Sequence, residues 1–339
     1  MIKENKMLTP RENALRAYNH QIPERIVNLI KDCNMLGTYV IVEKGPASPE
    51  FPMGGTGCDW FGVHWRYEES SKAPMVDPDY PPIMDDITEW KTQVKFPDLS
   101  KLDFKAAAEA DLSSPNYDPD KLNQVCIMSG PFERMLDCMS AEDALCSLLD
   151  EPEACREFFD AIIDHKIELI DRLAEVYPID LIDFHDDWGT SISTFMSVET
   201  WNELLAEPIG RVCKHCKDKG IFLQVHSCGK IETLIPSMIK AGIEHWSSCQ
   251  GMNDIPKLVH EYGDKLTFFG GMDIRDIQKP GVTKEQVEKY AGERIDDICR
   301  GGVVFPLGNS SVPFLSDAVQ KALAEREDFF KNPANCVLP

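Results

Sequence analysis

The sequence has 339 residues, and its 57 acidic side chains outnumber its 35 basic ones, which gives a formal net charge of -22 at pH 7. This surplus of negative charge repels phosphate backbones and anionic lipid heads, so we expect neither a nucleic acid nor a membrane as a partner. Hydrophobic residues make up 43% of the chain, which is typical of a globular protein and excludes a disordered one. The length fits two average domains or one β/α barrel with an extension.

The N-terminal segment lacks an apolar run of signal-peptide length, and no run approaches the roughly 18 apolar residues that span a bilayer. We therefore expect a cytoplasmic protein. The 12 cysteines are scattered without a compact framework, so we interpret them as reduced thiols. So many thiols are most easily kept reduced in an anaerobic or strongly reducing cytosol.

The first distinctive region is 44–120, which is rich in Pro, Gly, Asp and aromatic residues. We interpret it as an irregular insertion near the mouth of a barrel, within a single domain that covers residues 1–339. Two interpretations of this insertion stay open: a surface segment that packs its own aromatic side chains, or a loop that covers a substrate. In the second case Trp60, Phe61 and Trp65 are candidates for lining the pocket.

From about residue 125 onward, short apolar runs alternate with amphipathic stretches, which predicts successive strand-helix units. The predicted strands are 125–129, 180–185, 221–226, 243–248, 266–269 and 303–307. The predicted helices are 141–177 with a break near Pro152, then 197–220, 232–240, 255–262 and 284–300. Such units require a parallel sheet, and no Gly-x-Gly-x-x-Gly loop follows any of these strands. We therefore predict an α/β fold, a (β/α)8 TIM barrel with an N-terminal helical and loop extension.

Polar residues at the ends of the predicted strands are the candidates for function, because the loops that leave the C-terminal ends of barrel strands surround the active site. We expect His185, Asp186, Asp187 and His226 to be catalytic. The expected substrate-binding residues are Asp183, Trp188, Gln250, Asp273 and Asn309, together with Trp60 and Trp65 of the insertion.

The segment His226-Ser-Cys228 places an imidazole and a thiol on one side of an extended backbone, where both can bind one ion. Cys249 ends the next predicted strand and would supply a third ligand, as in a catalytic zinc site with an open fourth position. The alternative is that Cys228 and Cys249 are small buried thiols and that His226 donates or accepts hydrogen bonds with a substrate.

The segment Asp183-Phe-His-Asp-Asp187 concentrates three carboxylates and an imidazole at one strand end. Crowded carboxylates raise one another's pKa, so we expect either Asp186 or Asp187 to stay protonated and to act as a general acid. The alternative is a solvated acidic loop that caps the following helix.

Several segments together resemble the uroporphyrinogen decarboxylase superfamily over most of the chain. They are Leu8–Tyr18 with Pro23-Glu-Arg25, Asp186-Asp-Trp-Gly189, His226-Ser-Cys-Gly229, Phe269-Gly-Gly-Met-Asp273 and Pro306-Leu-Gly-Asn309. The resemblance implies the barrel fold. It also implies one of two activities, porphyrinogen decarboxylation or corrinoid-dependent methyl transfer.

The decarboxylases of this superfamily carry an arginine-rich R-Q-A-G-R loop after the first strand, where this chain has residues 29–35, which contain no arginine. A substrate with many carboxylates needs clustered arginines, so decarboxylation is disfavoured. The methyltransferase branch is more similar, and its members bind zinc through an H-x-C pair after the same strand. Its thiol-methylating members add a cysteine near the C-terminus, but the matching stretch here, Leu307–Ser311, has none.

The resemblance implies a corrinoid-dependent methyltransferase that takes a methyl group from a small methylated substrate to the Co(I) of a separate corrinoid protein. An aryl methyl ether is the preferred donor. The chain lacks a D-x-H-x-x-G corrinoid signature, so cobalamin is expected on the partner and zinc is a possible second cofactor. Three alternatives stay open: methyl transfer from methylcobalamin to a thiol or to tetrahydrofolate, a uroporphyrinogen-type decarboxylase, and a non-catalytic subunit that binds the corrinoid protein.

Overall fold

A computed structural model describes residues 7–37, 55–68, 73–275, 277–308 and 312–339. Its central feature is a parallel sheet of seven strands whose spatial order follows the order of the chain. These strands are β1 (Cys33–Leu36), β5 (Leu122–Ile127), β6 (Leu181–His185), β7 (Phe222–His226), β8 (His245–Cys249), β9 (Thr267–Gly270) and β10 (Val304–Pro306). A sheet without a reversal of strand order is typical of a β/α barrel, whereas an open doubly wound sheet has a switch point.

Helices follow the strands, and they include those predicted between residues 141 and 300. They are α1 (Pro10–Tyr18), α2 (Leu29–Asp32), α3 (Trp90–Gln93), α4 (Phe104–Leu112), α5 (Pro131–Cys138), α6 (Ala141–Asp150), α7 (Pro152–Val176), α8 (Val198–Leu204), α9 (Ala206–Asp218), α10 (Ile235–Ala241), α11 (Ile255–Tyr262), α12 (Lys284–Ile298) and α13 (Leu315–Ala324). Pro152 separates two of them because its fixed φ and missing N–H suit the first turn of a new helix. No helix in the described ranges combines the length and apolar character needed to cross a membrane.

The N-terminal end of the barrel is filled by Tyr18, the last residue of α1. Its ring packs against Phe222 of β7, His245 of β8 and Phe305 of β10, with centroid distances of 4.9–5.3 Å. Leu122 of β5 belongs to the same buried cluster. Strands from both halves of the strand order thus contribute to one interior cluster, which requires a sheet that curls on itself. The prediction of a (β/α)8 barrel is confirmed, and seven of its strands lie in the described residues.

The described part of 44–120 contains a second, antiparallel sheet of β2 (Thr56–Cys58), β3 (His64–Glu68) and β4 (Ala73–Val76). Its anchor is the buried Asp59 carboxylate, which accepts hydrogen bonds from the N–H groups of Phe61 and Val63, from Trp65 Nε1 and from Arg134 of α5. The Arg134 guanidinium also lies 4.1 Å from the centroid of the Phe61 ring.

The aromatic side chains of this insertion are part of the core. Phe61 and Trp65 are buried, and Trp60 is partly buried and packs against the same core cluster. The prediction that Phe61 and Trp65 line a substrate pocket is therefore wrong, because the indole N–H of Trp65 is used to hold Asp59 and the Phe61 ring is covered by Arg134. The prediction for Trp60 stays a prediction.

Candidate active site at the mouth of the barrel

Every second residue of β6 and β7 faces the barrel interior, and the layer above Tyr18 is polar. The Tyr18 hydroxyl donates to Gln224 Oε1 at 2.9 Å, and Gln224 Nε2 donates to Asp183 Oδ1 at 3.0 Å. The Ser247 hydroxyl of β8 donates to the same carboxylate oxygen at 2.7 Å. Barrel interiors are usually filled by branched apolar side chains, so this polar network makes the layer a candidate for a functional site.

Asp183 is buried and ionised. Burial opposes ionisation, but the hydrogen bond from His185 and the charges of the nearby imidazoles outweigh it and lower the pKa of Asp183 to about 2. The prediction that Asp183 binds the substrate stays a prediction. The structure shows that the Asp183 carboxylate is fixed in place. Its Oδ1 accepts the hydrogen bonds from Gln224 and Ser247, and its Oδ2 lies 3.5 Å from His185 Nε2.

The last layer of the interior contains two groups of potential metal ligands. The inner group comprises Cys126, Asp183 and His185, and its ligand atoms all lie within 4.8 Å of one another. The outer group comprises Asp187, His226 and Cys228, and its ligand atoms meet the same limit.

The outer group is held together by short contacts among its own members. Cys228 Sγ lies 3.4 Å from His226 Nε2, which lies 3.9 Å from Asp187 Oδ1. The backbone N–H of Cys228 donates to Asp187 Oδ1 at 2.7 Å. Burial raises the pKa of the Cys228 thiol to about 12, so the thiol stays protonated unless a cation stabilises the thiolate.

The two groups are neighbours because His185 and His226 are register partners on β6 and β7. Their rings are stacked with centroids 3.7 Å apart and planes inclined by 9°. Three of the four residues expected to be catalytic, His185, Asp187 and His226, therefore lie together at the mouth. The fourth, Asp186, does not.

Asp186 points away from the mouth and into the core. Its carboxylate accepts hydrogen bonds from the backbone N–H of Glu133 at 2.8 Å and from Trp188 Nε1 at 2.7 Å. Burial raises the pKa of Asp186 well above its usual range, with smaller contributions from Glu133 and Asp187. Its pKa thus moves in the expected direction, but Asp186 is completely buried and the prediction that it acts as a general acid on a substrate is wrong.

Trp188 is also a core residue. It is completely buried, and its ring packs edge-on against Trp201 with centroids 5.2 Å apart. The prediction that Trp188 binds the substrate is wrong, because its indole N–H and ring are both used inside the protein.

Cys249 is not a member of the outer group, so the prediction of a third cysteine ligand is wrong. Its buried Sγ donates to the carbonyl oxygen of Trp246 at 3.3 Å, and burial raises the pKa of the thiol well above its usual range. The third member in the structure is Asp187.

A β-bulge at the end of β8 explains the position of Cys249. The register with β9 shifts between Ser247 and Cys249, and the inserted residue, Ser248, has a positive φ of 62°. The bulge directs the Ser248 hydroxyl to the mouth, where its Oγ lies 2.9 Å from Cys228 Sγ. Bulges with left-handed residues often adjust side chains at active sites. Ser248 was missed because a Ser-Ser pair carries no sequence signal for a bulge.

Glu133 is a second residue that sequence reasoning missed. It lies in the first turn of α5, is almost completely buried, and its charge contributes to the raised pKa values of both Asp186 and Cys228. The available signal is its place directly after β5, since Gly130 and Pro131 start a helix at that strand end.

Two glycines allow the loops after β6 and β7 to touch. A Cβ atom on Gly229 would lie 2.3 Å from the carbonyl carbon of Gly189, and Gly229 has a positive φ of 88°. A Cβ atom on Gly189 would lie 2.8 Å from the carbonyl oxygen of Cys228. This contact brings the segment that carries Asp187 against the segment that carries Cys228.

A cavity of about 520 Å³ adjoins the outer group at the C-terminal ends of β8, β9 and β10. Its lining is mainly apolar and includes Ser191, Ser248, Cys249, Gln250, Gly251, Met252, Gly270, Gly271, Met272, Asp273, Ile274, Arg275, Leu307 and Gly308. Gln250 and Asp273, both predicted to bind the substrate, line it. Gln250 Oε1 accepts from the Gly229 N–H at 2.9 Å, whereas Asp273 pairs with Arg275. Asn309 lies outside the described residues.

The comparisons with known proteins agree with this architecture. Residues 55–325 match the uroporphyrinogen decarboxylase (URO-D) family. A methyltransferase from Methanosarcina mazei has a similar structure, with 15% sequence identity, a TM-score of 0.67 and coverage of 94% of this chain and 99% of that one. A dihydropteroate synthase from Anaplasma phagocytophilum with bound 6-hydroxymethylpterin-monophosphate is 14% identical, with a TM-score of 0.37 over 60% of this chain and 73% of that one.

No protein with a curated description matches the sequence. The first of the two structural likenesses shows the shared barrel fold, and the second is too weak to support an argument. The family match spans four strand ends of the site, from Cys126 to Cys249, and covers most of the chain. The chain therefore belongs to the uroporphyrinogen decarboxylase family.

Proposed function

We propose that this protein is a corrinoid-dependent methyltransferase that demethylates a small methylated substrate, with an aryl methyl ether as the preferred donor. The methyl group would pass to the Co(I) of a separate corrinoid protein. The observation that carries the proposal is the outer group of Asp187, His226 and Cys228 beside a mainly apolar cavity at the barrel mouth.

The outer group fits a divalent cation such as zinc. A carboxylate, an imidazole and a thiolate are all zinc ligands, and three protein ligands leave a fourth position open. When bound, such a cation would act as a Lewis acid on the oxygen that leaves the methyl group. Asp187 would take the place of the C-terminal cysteine that the thiol-methylating relatives use.

The cavity suits a flat, mainly apolar ring. Its volume of about 520 Å³ is in the range of small-molecule sites, and Met252, Met272 and Leu307 contribute apolar walls. Ser248 belongs to the cavity lining and also contacts Cys228 Sγ, so a ring in the cavity has its edge next to the outer group.

An unactivated ether has a poor leaving group, so its oxygen needs a proton or a cation as the methyl group departs. The protein holds the necessary groups in place through its backbone. The Cys228 N–H fixes the Asp187 carboxylate, and the Gly229 N–H fixes the Gln250 side chain at the edge of the cavity. Asp187 is the carboxylate of the outer group, and its side chain is 33% exposed.

The test is a methyl-transfer assay with purified protein and a corrinoid protein reduced to Co(I). Methoxylated phenols, methylamines and methanol are supplied separately, and formation of methyl-Co(III) is followed by its absorption spectrum. We expect transfer from a methoxylated phenol. Because loss of an outer partner of a metal ligand already costs about 10- to 100-fold, Asp187→Ala and His226→Ala should each lower the rate by about 100-fold or more.

The matched control is His215→Ala. His215 lies on α9, where its imidazole pairs with Asp171, and its loss should leave the rate of methyl transfer unchanged. Absence of transfer from all three substrate classes would contradict the proposal. Consumption of methylcobalamin with a thiol or tetrahydrofolate would instead establish the opposite direction of transfer. Normal rates in both site variants would show that the outer group does not carry the transfer, and an equal rate without this protein would indicate a subunit that only binds the corrinoid protein.

Decarboxylation of uroporphyrinogen remains the third enzymatic alternative. Arg275 is the one arginine that lines the cavity among the described residues, and its guanidinium is hydrogen-bonded to Asp273 and to the Gly251 carbonyl. A substrate with many carboxylates would need more free arginines than this. Incubation with uroporphyrinogen and measurement of released CO2 tests it directly.

A further inference from the structure

We propose that the inner group of Cys126, Asp183 and His185 is a second cation site, separate from the outer group, and that it takes a divalent cation of the zinc type. The three side chains come from the ends of the adjacent strands β5 and β6. Their ligand atoms lie within 4.8 Å of one another, so one ion can contact all three.

The donor chemistry supports this site. A thiolate, an imidazole nitrogen and a carboxylate oxygen are the three kinds of ligand that zinc takes in proteins. A fourth donor type lies next to them, since Met128 Sδ is 3.4 Å from Cys126 Sγ. This set of sulfur, nitrogen and oxygen donors does not suit magnesium or calcium, which prefer oxygen ligands alone.

The carboxylate is oriented as an outer-shell network orients a metal ligand. Gln224 and Ser247 both donate to Asp183 Oδ1, which turns Oδ2 to His185 and to the centre of the group. Gln224 is itself held by Tyr18, so the orientation is fixed down to the N-terminal end of the barrel. Metal ligands are usually supported by such partners.

The burial of Asp183 points the same way. Its side chain is only 9% exposed, and its Oδ2 lies 3.5 Å from His185 Nε2. A buried carboxylate is stable only when it is paired with positive charge or binds a metal. The hydrogen bonds from Gln224 and Ser247 are neutral, so the positive charge beside Asp183 comes either from His185 or from a bound cation.

The inner group is not part of the outer one. The His185 and His226 rings are parallel and 3.7 Å apart, so each imidazole directs its nitrogens within its own plane. His226 Nε2 faces Cys228 and Asp187, whereas His185 Nε2 faces Asp183. The two groups share no ligand and can be loaded or emptied one at a time.

The test separates the two sites by their cysteines. Full-length protein is stripped with a chelator and titrated with Zn²⁺ alone, then with Co²⁺, whose charge-transfer absorption reports a bound thiolate. The Cys228→Ala variant should still bind one equivalent of metal ion tightly, and its Co²⁺ form should show a thiolate-to-cobalt absorption band. Cys126→Ala/Cys228→Ala should lose both that equivalent and the band.

Cys146→Ala removes an exposed thiol on α6 and is the control that should bind as the unmodified protein does. Circular dichroism and thermal unfolding show whether each variant is folded. The same metal content and spectrum in Cys228→Ala and in the double variant would overturn the proposal, as would the absence of a tight equivalent in folded Cys228→Ala.

Ser247→Ala provides a second measurement that leaves all three ligands in place. It removes one hydrogen bond to Asp183, so in the Cys228→Ala background it should weaken Zn²⁺ binding by about 10- to 100-fold. In the Cys126→Ala background, where the outer group would bind, it should have little effect. Equal weakening in both backgrounds, or none in either, would overturn the proposal. Metal binding to Cys228→Ala is independent of methyl transfer, so it can succeed or fail separately from the proposed function.

Discussion

At the scale of single residues, His165 shows how a buried side chain outside the inner and outer groups controls stability. It lies on α7, and its ring packs edge-on against Phe61 and Phe96. Burial, together with the smaller effect of the positive charges of Lys166 and Arg134, lowers the pKa of His165 to about 3. An unfolded chain binds a proton at His165 near pH 6.5, whereas the folded protein does not.

The pH dependence follows from this difference. Because the unfolded state binds more protons between pH 6.5 and 3, the folded protein loses stability as the pH falls through this window. From pH 7.5 to 5, His165 alone should lower the free energy of unfolding by about 2 kcal/mol. His165→Leu should remove that part of the loss. Urea unfolding at both pH values measures it.

The matched control for this prediction is His260→Leu, which replaces an exposed histidine on α11. The His260→Leu variant should lose as much stability on acidification as the unmodified protein does. If His165→Leu and His260→Leu lose equal stability between pH 7.5 and 5, His165 is not the source of the pH dependence.

At the scale of elements, the contact between the loops after β6 and β7 aligns the outer group. Gly229 has both a positive φ and a backbone neighbour in the place that a Cβ atom would occupy. Gly220 offers a matched control, because its φ is 71° and nothing lies within 4 Å of the position of its Cβ. The two positions separate backbone strain from steric conflict.

We expect Gly220→Ala to cost about 1 kcal/mol in stability, which is the cost of a left-handed alanine. Gly229→Ala should cost more, because the loop must also move away from Gly189, and it should displace Cys228 from Asp187. Urea unfolding and Co²⁺ titration of the outer group, in protein that carries Cys126→Ala, measure the two effects. Equal stability and equal Co²⁺ spectra in the two variants would show that the contact does not align the group.

The elements themselves were largely predictable. The predicted strands 180–185 and 221–226 agree with β6 and β7 within one residue, because buried parallel strands are short apolar runs between turn signals. The strand ends then placed His185, Asp187, His226 and Cys228 at one mouth.

Each of the wrong site predictions has a definite physical cause. Strict alternation along β8 predicts that the side chain of Cys249 faces the barrel interior. One inserted residue reverses the side of the strand on which the following side chains lie, so Ser248 faces the mouth and Cys249 faces the core. Asp186 and Trp188 form a hydrogen bond inside the core that spacing in the sequence does not reveal. The aromatics of the insertion depend on Arg134, about 70 residues away along the chain.

At the scale of the whole molecule, one buried ion pair connects the insertion to the barrel. Arg134 Nη1 on α5 lies 2.6 Å from Asp59 Oδ2, and both side chains are completely inaccessible to solvent. The same turn of α5 donates the Glu133 N–H to Asp186, so the pair also stabilises the element that borders the mouth.

Removing Asp59 should be costly, because the buried Arg134 guanidinium loses the carboxylate at 2.6 Å and keeps that of Asp137 at 3.7 Å. Asp59→Ala should lower the free energy of unfolding by about 3–5 kcal/mol. The matched control is Glu157→Ala, which breaks an exposed ion pair with Lys91 and should cost less than about 1 kcal/mol. Asp59→Ala/Arg134→Leu should recover part of the loss, since the buried guanidinium that lost its 2.6 Å partner is then removed as well. Urea unfolding ranks the three variants. A small loss in Asp59→Ala, equal to that in Glu157→Ala, would show that the insertion folds onto the barrel without this pair.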